Sequence, residues 1–265
     1  MGAAAELRSG DWVVFVDRKG RRALTRLREG QRFHSHRGWL DHDAVVGLKD
    51  GAAVRTSTGA TLRVWRATLA DYVLKMRRGA QVVYPKDLAQ IVFMADIQPG
   101  VHVVEAGVGS GALSMALLRA GARVTAYEIR EDFASLAREN VTAFLGEEAL
   151  QRWTLRCCDI YEGIAERDVD RILLDLPEPW RVVEHASESL RPGGIILAYT
   201  PSVMQVSQFR DALAAHGFEL AETVEVLVRP WHVEHMAVRP DHRMVAHTGF
   251  ISCGRLPGDV TPRAR

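Results

Sequence analysis

The sequence predicts an α/β fold, in which a mostly parallel, doubly wound sheet of seven strands follows a small N-terminal β domain. Two patterns support this prediction. From residue 101 onward, short apolar runs alternate with segments of helical period. Before residue 68, short alternating runs are separated by glycine turns, as in a small barrel or sandwich. We therefore predict a β-rich domain over residues 1–67 and a larger domain over residues 68–265.

The N-terminal domain is predicted to consist of short strands joined by tight turns. The predicted strands cover residues 12–17, 23–27, 33–36, 53–56 and 62–65. Two helices follow. Thr68 is suited to cap the first, over residues 69–78, in which apolar side chains recur at helical spacing. Gly79 interrupts that pattern, and Tyr84-Pro85-Lys86-Asp87 is predicted to begin the second, which runs to residue 96.

The larger domain is predicted from its alternating pattern. The predicted strands cover residues 101–106, 124–128, 154–158, 169–176, 195–200, 224–229 and 248–254. The predicted helices cover residues 111–119, 132–144, 180–190 and 204–216. Residues 191–194, Arg-Pro-Gly-Gly, are predicted to form a turn. No good helix separates the last two strands, which should pair antiparallel at one edge of the sheet. Residues 257–265 suggest a flexible basic tail.

Composition narrows the class of protein. No apolar run approaches the ~20 residues of a membrane span, and residues 1–10 lack the apolar core of a signal peptide. We therefore expect a cytoplasmic protein that makes no membrane contact. Three cysteines do not form a disulfide framework, and His34, His36 and His42 fit no standard zinc spacing. We expect no metal site.

Charge gives only weak evidence for a nucleic-acid partner, because the net charge is +1. Two basic groups nevertheless occur along the chain. They comprise Arg18, Lys19, Arg21, Arg22, Arg26 and Arg28, and then Lys75, Arg77, Arg78 and Lys86. A solvated surface and a nucleic-acid contact both remain open for each group.

The most informative segment is residues 101–111, a buried strand that leads into a G-x-G-x-G turn and then a helix. Glu105 lies at the end of the strand, just before the glycines. A dinucleotide turn cradles a pyrophosphate, whereas S-adenosylmethionine carries a sulfonium cation and an amino-acid end that tolerate a carboxylate here. We therefore predict an S-adenosylmethionine pocket. Its first residues would be Glu105, Gly107, Val108, Gly109, Ser110, Gly111 and Ala112.

Two acidic residues at later strand ends extend the predicted pocket. Glu128 ends the second strand of the sheet, where a carboxylate accepts hydrogen bonds from both ribose hydroxyls and repels a 2′-phosphate. Asp159, followed by Ile160, comes after the third strand, where methyltransferases typically contact the adenine amino group of the cofactor. An aspartate that only caps a helix is the alternative for Asp159.

The loop over residues 175–180, Asp-Leu-Pro-Glu-Pro-Trp, follows a buried strand and is the second strong signal. It is similar to the D-P-P-Y loop of methyltransferases that modify nitrogens of bases. Methylation of adenine N1 creates a cation, so a carboxylate that accepts a hydrogen bond from the neighbouring amino group would position the base and stabilise that charge. Asp175 is the candidate, and we also expect it to be one of the residues of the cofactor pocket. The alternative is an aspartate that only caps the next helix.

Aromatic residues elsewhere suggest contacts with a base. Tyr84 precedes the glycine turn, where class I methyltransferases place a segment over the cofactor, and its ring could stack on the target base. A core tyrosine is the competing interpretation. The connection between the last two strands combines aromatic and basic residues and could line the substrate entrance.

Together, five segments resemble the tRNA (adenine-58-N1)-methyltransferase family of the bacterial and archaeal homotetrameric type. The matching segments are residues 33–38, 84–87, 104–111, 175–180 and 246–250. The resemblance implies an N-terminal β domain that helps bind tRNA, a Rossmann-like class I methyltransferase domain and a homotetramer. It also implies that Asp175 contacts the target adenine, that Tyr84 lies near it and that Glu128 binds the cofactor ribose. Relatives often have histidine where this chain has Phe133, whose ring can still pack on the cofactor adenine.

The predicted function is methyl transfer from S-adenosylmethionine to N1 of adenine 58 in tRNA. Three alternatives remain, the first within the methyltransferases and the other two from different classes. The chain could be a protein isoaspartate or small-molecule methyltransferase, although residues 175–180 argue against it. It could be a tRNA-binding chaperone with a vestigial cofactor site, or a dinucleotide oxidoreductase. Intact Glu105, Glu128 and Asp175 argue against the chaperone.

Overall fold

The computed structural model describes residues 6–79 and 81–258, so most of the predicted tail, residues 259–265, lies outside the described part. The chain divides into an N-terminal unit that ends at Met76 and a C-terminal unit that begins at Arg77. None of the helices within the described residues has the length and apolar character that spanning a bilayer requires.

The N-terminal unit is built from short antiparallel strands. Its elements are β1 (Trp12–Val16), β2 (Arg22–Arg26), β3 (Arg32–Ser35), β4 (Gly38–Asp41), β5 (Ala53–Arg55), β6 (Thr61–Arg66) and α1 (Leu69–Lys75). One sheet has the order β2-β1-β6-β5, and β3 and β4 form a separate pair. The predicted small β domain is confirmed; β4 was not predicted. Its core contains Leu7, Val13, Phe15, Leu27, Leu40 and Val64.

Helix α1 begins where the sequence predicts, because Thr68 and Asp71 form a capping box. The Asp71 amide donates to Thr68 Oγ1 at 3.1 Å, and the Thr68 amide donates to Asp71 Oδ2 at 3.2 Å. The two side-chain oxygens thus accept hydrogen bonds from amides that would otherwise be unpaired at the start of the helix. The helix ends at Lys75, three residues earlier than predicted.

The C-terminal unit alternates strand and helix. Its elements are α2 (Pro85–Met94), β7 (His102–Ala106), α3 (Ala112–Arg119), β8 (Arg123–Tyr127), α4 (Glu131–Leu145), α5 (Glu147–Leu150), β9 (Trp153–Arg156), β10 (Val169–Leu174), α6 (Val183–Ser189), β11 (Leu190–Thr200), α7 (Val203–Ala215), β12 (Glu219–Glu225), β13 (Trp231–Glu234), β14 (Ala237–Pro240) and β15 (Phe250–Arg255).

The large sheet has seven strands in the order β12-β15-β11-β10-β7-β8-β9. The pairs from β11 to β9 are all parallel, and β15 pairs antiparallel with both β11 and β12. This confirms the predicted mostly parallel sheet and its antiparallel edge. Strands β7 and β10 are covered on both faces, which explains why their sequences are continuous apolar runs rather than alternating ones.

Three local predictions were wrong. The strand predicted over residues 224–229 lies earlier in the chain, at Glu219–Glu225. Residues 191–194 do not form a separate turn but belong to β11, where the register with β10 shifts between the pairs Val169–Leu190 and Arg171–Ile195. Such a bulge accommodates proline and glycine within a strand. The connection between the last two strands is also more ordered than predicted, because β13 and β14 pair as an antiparallel hairpin.

Candidate functional site

The acidic residues predicted from the sequence meet at one edge of the large sheet. Strands β10, β7, β8 and β9 are neighbours in that order, and their carboxyl ends lead to Asp175, to the glycine turn, to Glu128 and to Asp159 respectively. In open α/β sheets, ligands bind outside this edge. The order of the strands therefore brings together residues that are up to 70 positions apart in the chain.

The glycine turn has a backbone conformation that favours glycine. Gly111 is the N-cap of α3 with φ of +85°, a left-handed conformation that favours glycine. A Cβ on Gly107 would lie 3.6 Å from both Glu128 Oε2 and the Asp175 carbonyl oxygen. That is an ordinary van der Waals distance, and it shows that Gly107 lies between the two acidic segments. Of the other predicted turn residues, Val108, Ser110 and Ala112 are buried.

Glu128 is held in one orientation by backbone amides. The Gly109 amide donates to its Oε2 and the Arg130 amide to its Oε1, both at 3.0 Å. Each carboxylate oxygen has a second lone pair, so Glu128 can still accept hydrogen bonds from two hydroxyl groups. That capacity matches the ribose of the predicted cofactor.

Glu105 is fully buried behind the turn. Ser114 Oγ donates to its Oε2 at 2.6 Å, while its Oε1 has no hydrogen-bond partner among the described residues. Burial, and to a smaller extent the nearby carboxylates of Asp175 and Glu128, raise the pKa of Glu105 to about 8. The structure therefore leaves one buried acidic oxygen without a partner on a residue two positions before Gly107. Since S-adenosylmethionine carries two cationic groups, the residues present fit this cofactor.

Asp175 is attached to the glycine turn through its backbone. Its amide donates to the Ala106 carbonyl at 2.6 Å, and the Gly107 amide donates to the Asp175 carbonyl at 3.3 Å. Its carboxylate has no hydrogen bond or ion pair with any residue that the structure describes, and it does not cap the short helix Pro179–Val182. Burial raises the pKa of Asp175 to about 7. The carboxylate is thus free to bind something outside the protein.

A buried network anchors the Tyr84-Pro85-Lys86-Asp87 segment at the same edge of the sheet. Lys86 Nζ donates to Asp87 Oδ1 at 2.8 Å and to Thr248 Oγ1 at 2.5 Å. Tyr199, near the end of β11, donates to Asp87 Oδ2 at 3.4 Å. The network therefore holds the first turn of α2 next to β11, the strand that contains Tyr199. Tyr84 is the N-cap residue of that helix and is half-buried.

Comparison with known proteins agrees with this geometry. A family model described as the tRNA methyltransferase complex GCD14 subunit matches residues 63–249. A second model, described as TrmI-like N-terminal, matches residues 6–54. The chain belongs to this tRNA methyltransferase family.

Individual relatives extend over nearly the whole chain. The tRNA (adenine(58)-N(1))-methyltransferase TrmI of Thermus thermophilus is 40% identical over 242 residues, which is 90% of this chain and 94% of the relative. A SAM-dependent O-methyltransferase from Thermotoga maritima superposes with a TM-score of 0.90 at 34% identity, with 96% of each chain covered. The tRNA (m1A58) methyltransferase TrmI from Aquifex aeolicus superposes with a TM-score of 0.84 at 26% identity, covering 96% of this chain and all of that one.

Three further residues of this tRNA methyltransferase were predicted to contact the cofactor. Asp159 Oδ1 accepts a hydrogen bond from the Tyr161 amide at 2.9 Å, so this aspartate does cap the short helix Ile160–Glu162, as the alternative interpretation expects. Ile160 is buried in the core. Phe133 is half-buried, and the Arg130 guanidinium lies 3.8 Å from the centre of its ring. Their contacts with a cofactor stay predictions.

Sequence reasoning missed the residues that support the predicted ones. Asn140, buried on α4, donates from Nδ2 to the carbonyls of Ser110 and Arg77, both at 3.0 Å. The Tyr161 hydroxyl accepts from the Glu178 amide at 3.1 Å and so holds the loop after Asp175. For Asn140 the sequence did offer a signal, because a polar residue lies on the apolar face of a predicted helix. No sequence pattern pointed to Tyr161.

Metal-ligating side chains do not cluster at this edge. Within residues 6–79 and 81–258, no group of three or more His, Cys, Asp or Glu side chains has an arrangement that could hold a metal ion.

Proposed function

We propose that the protein transfers a methyl group from S-adenosylmethionine to N1 of adenine 58 in the T-loop of tRNA. The observation that carries the proposal is the Asp175 carboxylate, which lies unbonded beside a glycine turn that fits the cofactor. Membership of a tRNA methyltransferase family, and relatives whose names specify adenine 58, support the choice of substrate.

The cofactor would be held by residues at the ends of four neighbouring strands, with Asp175 after β10, and by one residue of α4. Glu128 would accept the ribose hydroxyls, Asp159 and Ile160 would contact the adenine, and the ring of Phe133 would pack on it. The turn residues 107–112 would let the amino-acid part of S-adenosylmethionine approach the protein backbone. Glu105 would lie buried behind the turn. When bound, S-adenosylmethionine supplies an electrophilic methyl group. The protein's contribution is to place the acceptor in line with that group.

Asp175 would recognise the acceptor. An ionised carboxylate accepts a hydrogen bond from the exocyclic amino group of adenine, and this directs the neighbouring N1 lone pair toward the glycine turn. N1 is already unprotonated and nucleophilic, so no base is required. As the N1–methyl bond forms, the bond between the methyl group and the sulfur breaks, a neutral thioether leaves, and the positive charge passes to the ring, where the carboxylate would stabilise it.

Tyr84 would complete the acceptor pocket. A tyrosine ring that stacks on the target base contributes ~1–3 kcal/mol and does not depend on the identity of the base. Tyr84 would therefore hold the base, and Asp175 would select adenine. The buried network of Lys86, Asp87 and Thr248 gives the segment around Tyr84 the rigidity that this role requires.

The protein would act as a homotetramer on tRNA in the cytoplasm. The β13–β14 hairpin supports self-association, because Val233 and Val238 lie opposite each other with 69% and 58% of their surface exposed. Trp231, two residues from Val233, lies on the same face and is also exposed. An exposed apolar face of this kind marks an interaction site. If several subunits contact one tRNA, each needs to bind fewer phosphates, which is consistent with the modest net charge of each chain.

The test is incubation of the purified protein with unmodified tRNA and S-adenosylmethionine carrying a labelled methyl group. We expect label in tRNA, recovered after digestion as 1-methyladenosine. Unlabelled tRNA would refute the proposal. Label in a protein as a base-labile ester would favour the isoaspartate-type alternative, and binding of tRNA without any binding of S-adenosylmethionine by calorimetry would favour the chaperone.

A further inference from the structure

Three turns of the N-terminal unit surround a small cavity of about 170 Å³. Asp17 and Arg18 come from the turn between β1 and β2, and Arg37 comes from the turn between β3 and β4. The third side is the segment that ends the β5–β6 turn and begins β6, residues 59–62. The cavity thus depends on two separate sheets of the unit, which hold its walls at fixed positions.

The two arginines of the cavity have free side chains, unlike neighbouring arginines. Arg21 forms an ion pair with Asp17 at 2.6 Å, and Arg22 forms one with Asp71 at 2.9 Å. The guanidinium groups of Arg18 and Arg37 make no ion pair or hydrogen bond with any residue in the described part of the chain. Arg18 is therefore the member of the first basic group whose unpaired charge lies at the cavity, and Arg37, from the turn between β3 and β4, adds a second unpaired charge there.

The backbone at Arg37 is fixed although its side chain is free. Its carbonyl accepts hydrogen bonds from Thr56 Oγ1 at 2.5 Å and from Thr58 Oγ1 at 2.6 Å, and its amide donates to Ser35 Oγ at 3.1 Å. Three side-chain hydrogen bonds on one exposed turn residue set the position from which its side chain extends. Less conformational freedom is then lost when the guanidinium binds a ligand.

The carboxylate in the wall does not cancel the positive charge. Asp17 accepts hydrogen bonds from Arg21 Nε at 2.7 Å and from the amides of Lys19 and Arg21 at 2.9 and 3.0 Å. These contacts, with Arg21 first, lower the pKa of Asp17 to about 2. The negative charge of Asp17 is therefore balanced by Arg21 within the same turn. Arg18 and Arg37 then give the cavity a net positive charge.

We propose that this cavity binds one backbone phosphate of an RNA, held between the guanidinium groups of Arg18 and Arg37. The planar guanidinium donates two parallel hydrogen bonds to phosphate oxygens, and two such groups suit a doubly esterified phosphate. A water molecule occupies about 30 Å³, so the cavity has room for a phosphate group but not for a base with its sugar. The site would read the RNA backbone, not its sequence.

The inference rests on the proposed function, because that function supplies an RNA partner. The test uses the full chain and unmodified tRNA, with binding followed by fluorescence anisotropy over a series of salt concentrations. The variant is R18Q/R37Q. A matched control, R119Q/R123Q, removes two exposed positive charges from α3 and β8 in the other unit. Thermal melts check that both variants fold.

We expect R18Q/R37Q to weaken tRNA binding about tenfold and to reduce the slope of log K against log salt by about 1. The control should stay within about twofold of the wild type. R18K/R37K keeps the charge but loses the planar donors, so its affinity for tRNA should lie between those of R18Q/R37Q and the control. Binding of S-adenosylmethionine should be unchanged in all variants.

Several outcomes would overturn the inference. If R18Q/R37Q binds tRNA like the wild type with an unchanged slope, the cavity does not hold an RNA phosphate, while wild-type methylation of tRNA would leave the proposed function intact. If R18Q/R37Q instead loses only the binding of inorganic phosphate, the cavity takes a free anion. If the wild type neither binds nor methylates tRNA, both proposals fail.

Discussion

Thr248 Oγ1 donates a 2.6 Å hydrogen bond to Asp87 Oδ2, although the two residues are 161 positions apart in the chain. Lys86 Nζ donates to both residues, and the Asp87 side chain is fully buried. Two segments that the sequence shows only as separate motifs therefore form one ionic network beneath the candidate active site. The network determines where the segment around Tyr84 begins its helix.

Removal of the Thr248 hydroxyl should destabilise the fold. We expect T248V to lower the free energy of unfolding by about 1–3 kcal/mol, because Asp87 loses a donor and Lys86 an acceptor in a buried place. D87A should cost more, about 3–5 kcal/mol, since it leaves the Lys86 charge without its partner. Chemical denaturation measures both. The control is T154V at an exposed position on β9, which should change stability by less than ~0.5 kcal/mol. Equal losses in T248V and T154V would contradict the account.

Gly249, next to Thr248, should tolerate no side chain. A Cβ there would lie 2.5 Å from Tyr199 Cζ, and Tyr199 is itself a donor to Asp87. We expect G249A to cost about 1–3 kcal/mol through overpacking and to weaken the network. G258A, whose Cβ would make only an ordinary 3.5 Å contact with Pro192, serves as the control in the same thermal melts. A G249A protein as stable as G258A would show that the Tyr199 ring can move away.

Much of this site could be predicted from the sequence, for reasons that differ between residues. Glu128 and Asp175 end buried strands, and the apolar period alone indicates that such residues meet at one edge of a parallel sheet. Thr248 and Tyr199 could not be linked to Asp87 in this way, because their contact depends on where β15 enters the sheet. The bulge at residues 191–194 escaped prediction because proline and glycine favour a turn locally, whereas pairing with β10 extends the strand.

The pKa of Asp175 predicts how activity and stability depend on pH. Burial raises that pKa from 3.8 to about 7, so the folded protein binds a proton that the unfolded chain has already lost between these values. Stability should therefore fall as pH rises from about 4 to 7, and D175N should regain on the order of 1–4 kcal/mol at pH 8. The methylation rate should rise over pH 6–8, because the carboxylate is the active form. A flat rate profile, or a D175N protein without added stability at pH 8, would contradict this role.

The β13–β14 hairpin predicts a change of assembly on mutation. V233D/V238D places two charges on its apolar face and should convert the proposed tetramer to smaller species, as measured by light scattering after size exclusion. H232Q/R239Q alters the opposite face of the same hairpin and should leave the mass unchanged. If V233D/V238D keeps the full mass, the hairpin is not the interface.

The most direct test of the central claim is the position of the methyl group. An unmodified tRNA transcript is incubated with S-adenosylmethionine and the protein, cut with a ribonuclease, and its fragments are analysed by mass spectrometry. We expect one added methyl group on adenine 58 at N1, and none when D175N replaces the wild type. Methylation at another atom or nucleotide, or full activity of D175N, would contradict it.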